Sequence, residues 1–390
     1  MAGKDDINES PVELKKQEPT VADAQKSKKS DEKLMAKAEK VSQKPVVDTE
    51  KEAGSPAIKT AGPVGLDVGT SHIIVAQNER NHIKTVKQLN AFFTIPRSKF
   101  AKSILAKNNV LFFEQDGLFY IIGNSSEDFA NMFNADTRRS IKKGILSADE
   151  QEGITVIQAI VLSVIQKPKQ FGETLCFTIP GDPFDGTGSV VYHESIIKRF
   201  LGTMGYFPIS INEGMAIVMS ELADEDYTGI GISLGGGMCN ICLSYLSFPV
   251  ITYSLQMAGD YIDSMVGKSV GEHATKIKKI KEEDLDLLKE PKGRTITALH
   301  IFYDDLINKL LDSLQMVLSS TDKIPMISRP IPIVLSGGTS MPNGCREMFE
   351  KALKNYSLPL EISSVMTTED PLNTTAKGAL IMAMTEAQQD

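Results

Sequence analysis

Three glycine turns constrain this chain more than any other feature, because each follows directly after a short apolar run. They lie at residues 67–71 (DVGTS), 235–237 (GGG) and 336–340 (SGGTS). Apolar runs flank the first two turns on both sides, which predicts strand–turn–strand hairpins, whereas the third leads from a strand toward a helix. Glycine lets phosphate oxygens approach backbone N–H groups closely, so two such hairpins predict a polyphosphate gripped from two sides.

Apolar periodicity from residue 64 onward predicts an α/β fold in which short strands alternate with helices. The predicted strands are 64–68, 73–77, 175–179, 229–234, 240–245 and 331–335, and the predicted helices are 154–166, 193–204, 214–222, 304–318, 345–355 and 374–386. The segments 65–71 and 232–238 share the order of apolar strand, glycine turn and apolar strand. We therefore expect two similar halves with a cleft between them.

The first 60 residues differ in composition from the rest of the chain. They contain equal numbers of lysine and acidic residues and no aromatic residue, so they bury too little apolar surface to offset the entropy lost on ordering. We therefore predict a disordered, charged N-terminal tail over residues 1–62. Within it, Lys33–Val41 has the pattern of a short amphipathic helix, which is either a transient contact for a partner or membrane surface or part of a solvated linker.

Composition argues against several classes of protein. Lysine and arginine number 42 against 50 aspartate and glutamate, and the net charge of −8 predicts no nucleic-acid partner. The apolar run 154–165 is too short to cross a bilayer, and the N-terminus lacks an apolar signal-peptide segment. Four cysteines do not make a disulfide framework, so we expect a cytoplasmic protein and leave membrane association open.

The ordered motifs together resemble those of the actin-like ATPase superfamily, which contains actin, the sugar kinases and the heat-shock chaperone ATPases. Residues 65–70 (GLDVGT) are similar to the first phosphate motif, 234–237 (LGGG) to the second and 334–344 (VLSGGTSMPNG) to the adenosine motif. Segments 139–147 (RSIKKGILS) and 211–216 (INEGMA) resemble the first interdomain connection, and 371–380 (PLNTTAKGAL) resembles the second. The resemblance is nearest to the bacterial actin-like proteins MreB and MamK.

The resemblance implies a two-lobed actin-like ATPase fold with a nucleotide cleft between the lobes. Lobe I is expected at 63–226 together with 366–390, with a small subdomain near 87–139. Lobe II is expected at 227–365, with a small subdomain near 271–300 that is trimmed relative to MreB-like proteins.

The resemblance also implies the residues that bind ATP and Mg²⁺. Asp67 matches the residue that holds Mg²⁺ through water. Nucleotide contacts are implied for Gly69, Thr70, Ser71, Gly235, Gly236, Gly237, Gly259, Lys279, Gly337, Gly338 and Thr339. Glu213 and Asp185 are the two candidates for polarising the attacking water. A plain helix N-terminal acid is the alternative interpretation of Glu213, and ordinary turn chemistry is the alternative for Asp185.

The second phosphate motif departs from the family pattern D-x-G-G-G-T-T-D. Ser233 stands at the first Asp, Met238 and Cys239 at the two Thr, and Asn240 at the last Asp. The glycines remain, which favours phosphate binding, but one metal-organising carboxylate and the hydroxyls are missing, so we expect slow or impaired hydrolysis. A further departure places Lys276 and Lys279 where relatives carry a Glu and a Lys, which leaves ribose and base selectivity open.

Two local features have competing interpretations. Cys239 and Cys242 form a C-x-x-C pair on a predicted strand, where residues three apart face opposite sides, and no second Cys pair or nearby His completes a zinc set. We expect no metal or redox chemistry from them. Phe92 and Phe93 are either membrane-inserting residues, as in MreB-like proteins, or core residues of the first small subdomain.

The leading functional prediction is a bacterial actin-like cytoskeletal protein that assembles head to tail with copies of itself into filaments. ATP would bridge the two lobes and favour a closed cleft that is competent for assembly. The alternative is a non-polymerising, nucleotide-sensing adaptor of the FtsA or PilM type, which would dock membrane-associated machinery and therefore have a membrane or membrane-protein partner.

Overall fold

The structure is a computed structural model that describes residues 62–80, 82–133, 135–146, 152–186, 189–321 and 324–388. The predicted charged tail, up to residue 61, lies outside these described residues. Within the described ranges, no helix combines the length and the apolarity needed to cross a membrane.

Strands and helices alternate along the described chain as the sequence predicts. The strands are β1 Val64–Val68, β2 His72–Glu79, β3 His82–Leu89, β4 Phe92–Pro96, β5 Phe112–Gln115, β6 Leu118–Ile122, β7 Ile141–Lys142, β8 Ile145–Leu146, β9 Thr174–Ile179, β10 Phe207–Asn212, β11 Gly229–Leu234, β12 Cys239–Tyr245, β13 Phe248–Leu255, β14 Ile331–Ser336 and β15 Ile362–Thr367. The helices are α1 Lys99–Lys107, α2 Asn124–Met132, α3 Gly153–Val164, α4 Val190–Thr203, α5 Glu213–Glu221, α6 Gly259–Val270, α7 Ala274–Glu283, α8 Arg294–Ser319, α9 Cys345–Leu353 and α10 Thr374–Glu386.

Two five-stranded sheets with the same topology form the frame of the molecule. The strand order is β10-β9-β1-β2-β3 in the first sheet and β13-β12-β11-β14-β15 in the second. Each sheet starts with three antiparallel strands joined by hairpins, and two further strands then add parallel to the first strand. The predicted duplication is therefore present in the fold, and it gives each half one hairpin turn at the carboxyl end of its first strand.

Two helices join the sheets. Helix α5 follows β10 of the first sheet, and α10 follows β15 of the second and packs on β1 and β9 of the first. A buried cluster contains residues of both sheets and both helices, among them Cys176, Val218, Cys242, Val334 and Ala379. The helices approach so closely that a Cβ at Gly378 would overlap the backbone of Ala216.

A three-stranded sheet of order β4-β6-β5 lies beside the first large sheet and packs with α1 and α2. Its core contains Leu105, Phe119 and Ile121. Phe92 is fully buried in the cluster shared with the first large sheet, and Phe93 packs on the core of the three-stranded sheet, so the structure supports the core interpretation of these two residues. Neither of them is an exposed aromatic residue available for insertion into a membrane.

Two of the differences from the sequence-based prediction have a clear physical reason. Helix α8 begins at Arg294 rather than at 304, because Ala298, Leu299 and Tyr303 continue its buried apolar stripe toward the N-terminus. Strand β3 was not predicted, since most of its residues are exposed or half-buried and carry no alternating pattern. It forms because β2 offers its free edge, with which β3 pairs along its whole length.

Candidate functional site

A cavity of about 570 Å³ lies beside the carboxyl ends of β1, β11 and β14. The three predicted glycine turns all contribute to its wall. Their lining residues are Gly69, Thr70, Ser71, Gly235, Gly236, Gly237, Gly337, Gly338 and Thr339. The carboxyl ends of the strands are where open α/β sheets usually bind ligands, because the loops there converge around one crevice.

The first turn connects β1 to β2 and is held by backbone bonds and by a buried asparagine. The N–H of Gly69 donates to the carbonyl of His72 at 3.0 Å, which closes the hairpin. Asn90 donates from its backbone N–H to the carbonyl of Ser71 and from Nδ2 to the carbonyl of Gly69, both at 2.9 Å. The carbonyls of Gly69, Ser71 and His72 accept these bonds, and the N–H groups of Thr70 and Ser71 take no part in them.

The second turn connects β11 to β12 and faces the first turn directly. A Cβ at Gly236 would clash with the Ser71 hydroxyl, and a Cβ at Gly237 would lie within 3.0 Å of the Thr70 side chain. Larger residues would force the two turns apart, so the run of glycines lets the two halves of the molecule meet at this point. This juxtaposition was the central expectation from the sequence.

Four backbone N–H groups on the two turns are unused. Within the part of the chain that the structure describes, those of Thr70, Ser71, Gly236 and Gly237 donate to no protein acceptor. Backbone N–H groups are obligatory donors, and a concave set of them is a binding site for anions. The two turns therefore offer a site for negatively charged oxygens that neither turn would provide alone.

The third turn fixes the opposite wall of the cavity. Gly337 has a φ of +94°, and a Cβ there would overlap the carbonyl of Leu234 at the end of β11. Thr339 donates from its hydroxyl to the carbonyl of Gly235 at 2.7 Å, which ties the third turn to the second. Gly259 at the start of α6 donates to the same carbonyl at 3.2 Å and lines the cavity as predicted.

Asp67 lies at the base of the cavity with both carboxylate oxygens oriented by threonine hydroxyls. Thr178 of β9 donates to Oδ1 at 2.6 Å, and Thr375 of α10 donates to Oδ2 at 2.8 Å. Burial raises the pKa of Asp67, and the two hydroxyl groups oppose that shift. Neither threonine was predicted, because nothing in the sequence links residue 67 to positions 178 and 375.

Glu213 lines the same cavity, at the first position of α5. Its backbone neighbour Asn212 caps the helix by accepting from the N–H groups of Gly214 and Met215. Burial and the charge of Asp67 together raise the pKa of Glu213 to about 8, although Ser233 and Asn240 oppose the shift. Burial therefore disfavours the charged form of Glu213 when no cation is bound beside it. A cation between Asp67 and Glu213 would favour the ionised form of both.

The side chains that replace the second motif's polar residues have structural contacts. Ser233 donates to Glu213 Oε2 at 2.9 Å, and Asn240 accepts from the N–H of Gly181 at 2.9 Å. Met238 is buried against Gly144 and Ile145. The contacts of these side chains therefore hold neighbouring segments in place, and the backbone of the turn is left as the main donor to the cavity.

The lysines of helix α7 that face the cavity are not the predicted Lys279. Ile277 and Lys281 are buried on its inner face, so Lys278 and Lys281 line the cavity while Lys279 points outward and is 72% exposed. The structure thus corrects the placement of Lys279, whose ammonium lies 4.0 Å from Glu283 on the same helix. The apolar residue Ile277 was the available signal for this rotation, because it fixes which side of the helix is buried.

The two inward lysines have different partners. Lys281 forms a buried ion pair with Asp263 at 2.8 Å, and burial raises the pKa of Asp263 to about 6 although the lysine opposes the shift. Lys278 lies 3.5 Å from Glu127 of α2, across the cavity from its own helix. The sequence pattern contained no signal for either pairing, because both join residues on different elements. Glu127 in particular belongs to the small three-stranded subdomain.

Asp185 lies outside the cavity lining and is exposed. It follows a segment that pairs with β13, in which the N–H of Phe184 donates to the carbonyl of Ser254 at 2.8 Å. The N–H of Gly186 then donates to the carbonyl of Pro183 at 2.9 Å and closes a turn. Asp185 therefore lies in a turn outside the cavity lining, as its alternative interpretation expects, and its role in hydrolysis stays a prediction.

The cysteine pair has no metal-binding geometry. Cys239 and Cys242 are buried free thiols that belong to different core clusters on opposite faces of β12. Among the described residues, no group of three or more His, Cys, Asp or Glu side chains is arranged to hold a metal ion.

Comparison with solved structures confirms the fold. A double-helical MamK filament aligns with a TM-score of 0.63 at 16% identity, covering 83% of this chain and 98% of MamK. MreB5 of Spiroplasma citri bound to AMPPNP aligns with a TM-score of 0.61 at 14% identity, covering 85% of this chain and 98% of that one. A non-polymerising MamK mutant bound to AMPPNP aligns with a TM-score of 0.54 at 16% identity, covering 84% and 100%. The chain therefore has the two-lobed actin-like fold.

Sequence comparison assigns the family. No curated protein sequence matches this chain at a significant level. A family model described as Volactin matches residues 63–383, which include all three glycine turns, helix α5 and most of helix α10. The chain belongs to the Volactin family.

Proposed function

We propose that this chain is an actin-like cytoskeletal protein that binds ATP with Mg²⁺ between its two lobes and assembles head to tail into filaments. One observation carries the proposal: Thr70, Ser71, Gly236 and Gly237 line a single cavity, and their N–H groups donate to no acceptor among the described residues. That arrangement matches the needs of a polyphosphate, which supplies several anionic oxygens along one chain. The solved structures of similar fold include MamK and MreB5 bound to AMPPNP and a MamK filament, which supports the same ligand and the same assembly here.

The residues present fit a magnesium nucleotide. A volume of about 570 Å³ is within the range of cavities that bind small molecules and cofactors. Asp67 and Glu213 would hold Mg²⁺, directly or through water, because two desolvated carboxylates beside each other favour a divalent cation. Bound Mg²⁺ would neutralise charge on the phosphates. The turns would hold the phosphate oxygens, and the third turn with α7 would enclose the nucleoside.

Hydrolysis is proposed to be slow. Ser233 supplies a hydroxyl in place of the carboxylate that the family motif carries at this position, and it is engaged with Glu213 at 2.9 Å. Met238 fills its position with an apolar side chain that packs on Ile145 rather than a hydroxyl. Phosphoryl transfer depends on positioned charge, so these replacements leave binding intact and remove much of the acceleration.

The proposed nucleotide site is linked to assembly because a nucleotide held by both lobes would favour the closed cleft, which is the state competent for assembly. A head-to-tail interface between identical copies produces an open filament when its rotation does not close a ring. The described residues 271–321 contain two helices and no strand, which supports a trimmed second small subdomain. A trimmed subdomain would reduce the lengthwise contact area, and the adaptor alternative is therefore retained as an outcome of the test.

Nucleotide titration followed by light scattering and pelleting tests the proposal. Wild-type protein with Mg²⁺ and ATP is expected to scatter light and to sediment, and both signals should be lost without nucleotide. The variant Asp67→Ala is expected to lose both, whereas Asp224→Ala, which changes an exposed acid outside the cavity lining, should retain them. Phosphate release measured alongside should stay far below the rate of assembly.

The possible results separate the alternatives. Nucleotide binding by calorimetry without sedimentation under any salt condition would favour the adaptor. Absence of nucleotide binding by the wild-type chain would contradict the proposed site itself. Rapid phosphate release, at rates comparable to those of assembly, would contradict impaired hydrolysis while leaving the filament proposal in place.

A further inference from the structure

Arg139 lies where the two phosphate-facing turns meet, and neither the predicted site nor the cavity lining includes it. Its guanidinium nitrogen Nη1 donates to both carboxylate oxygens of Asp260 at 3.1 Å and reaches the Ser71 hydroxyl at 3.4 Å. The Arg139 side chain is 22% exposed and the Asp260 side chain is 43% exposed, so solvent screens part of the ion pair. Arg139 belongs to the segment that precedes β7 in the first half of the molecule, whereas Asp260 belongs to the second half.

The contacts of Asp260 extend this pairing to the second turn. Asp260 is the second residue of α6, and its N–H donates to the carbonyl of Gly236 at 2.8 Å. An acidic residue in the first turn of a helix is favoured by the helix dipole, which holds Asp260 in place. A continuous set of bonds therefore runs from Ser71 on the first turn through Arg139 and Asp260 to Gly236 on the second.

We propose that Arg139 and Asp260 form an inter-turn clamp, a pair of positioning residues that sets the spacing of the two phosphate-binding turns and thereby favours a triphosphate over a diphosphate. The inference rests on the proposed nucleotide site. It adds a specificity determinant, because the separation of the turns decides whether one phosphate group can accept from both at once.

The geometry explains why the terminal phosphate is the group affected. The third turn, which would enclose the nucleoside, contacts the second turn through Thr339, and among the described residues no hydrogen bond joins it to Arg139. A polyphosphate that starts at the third turn therefore reaches the clamp with its last group. A diphosphate ends sooner and depends less on the spacing between the N–H groups of Thr70 and Ser71 and those of Gly236 and Gly237.

Calorimetric titration of AMPPNP and ADP, each with Mg²⁺, into the full-length chain tests the clamp. Arg139→Gln is expected to weaken AMPPNP binding by at least about tenfold, as loss of a charge-assisted pair would, and to change ADP binding by no more than about twofold. Asp260→Asn should produce the same change in the AMPPNP-to-ADP ratio. The double variant should add little further, because both changes break one pair.

The controls separate the clamp from a general loss of structure. Arg329→Gln breaks surface pairs with Glu225 and Asp226, none of which lines the cavity, and should leave the ratio unchanged. Far-UV circular dichroism and unchanged ADP affinity verify that each variant is folded. Equal weakening of AMPPNP and ADP would overturn the inference.

Tighter AMPPNP binding by Asp260→Asn would also overturn it, since that result would mean that Asp260 only competes with phosphate for Arg139. Failure of the wild-type chain to bind either nucleotide would instead contradict the proposed function on which the clamp depends. Selective loss of the triphosphate in both single variants, together with an unchanged control, is the result that supports it.

Discussion

A buried histidine, His193, makes stability depend on pH in a way that the structure allows to be worked out. It lies on α4 and is fully buried, and its Nδ1 accepts from the N–H of Leu146 at 3.3 Å. Nε2 has no hydrogen-bond partner within the described ranges. Protonation would place a second N–H against that of Leu146 and an unsolvated charge in the core. Burial accordingly lowers the pKa of His193 to about 4.

The sign and size of the effect follow from linkage. The pKa of an unfolded histidine is near 6.5, above the folded value, so the unfolded chain takes up the proton more readily and stability falls as pH drops through about 6.5 toward about 4. A difference of about 2.5 pKa units corresponds to about 3 kcal/mol when the transition is complete. Between pH values of about 7.5 and about 6.0 the expected loss is about 0.8 kcal/mol.

The test compares wild type with His193→Asn, which keeps a side-chain acceptor near Leu146. Urea unfolding is followed by far-UV circular dichroism, since the chain contains no tryptophan. Over that pH interval the wild type is expected to lose about 0.8 kcal/mol more than the variant. The control His273→Asn, at an exposed position before α7, should keep the wild-type loss. The same pH dependence in wild type and His193→Asn would refute the reasoning.

Three further perturbations have defined outcomes. Gly236→Ala places a Cβ against the opposite turn and is expected to weaken nucleotide binding about tenfold or more by calorimetry, whereas Gly202→Ala has open space and should leave binding unchanged. Ser233→Asp adds a third carboxylate beside the buried carboxyl groups of Asp67 and Glu213 and is expected to lower the melting temperature in the absence of Mg²⁺. Adding Mg²⁺ and ATP should restore the melting temperature, and the variant should release phosphate faster than the wild type. Lys281→Met leaves a buried carboxylate unpaired and is expected to cost about 3 kcal/mol in urea unfolding, most of which the double variant with Asp263→Leu should recover.

Features that depend on local backbone chemistry could be predicted from the sequence. The three turns at 67–71, 235–237 and 336–340 were located from glycine clusters at the ends of apolar runs, and all three line the cavity. The repeated order of strand, turn and strand predicted two similar halves, and the two sheets have the same topology. These predictions succeeded because glycine content and apolar periodicity act over a few neighbouring residues.

Features that depend on packing between distant segments could not be predicted in this way. The rotation of α7 brings Lys278 rather than Lys279 to the cavity, and a turn beside β13 leaves Asp185 outside it. The hydroxyl of Thr375 meets Asp67 across 308 positions of sequence, and Arg139 meets Asp260 across 121.

The sequence by itself thus determined the three glycine turns and the division of the molecule into two similar halves, since both depend on short-range patterns. Only the tertiary structure decided which charged and hydroxyl side chains surround that backbone. Their placement depends on how helices such as α7 and α10 rotate when their apolar faces are buried, and that rotation is set by the whole core rather than by neighbouring residues.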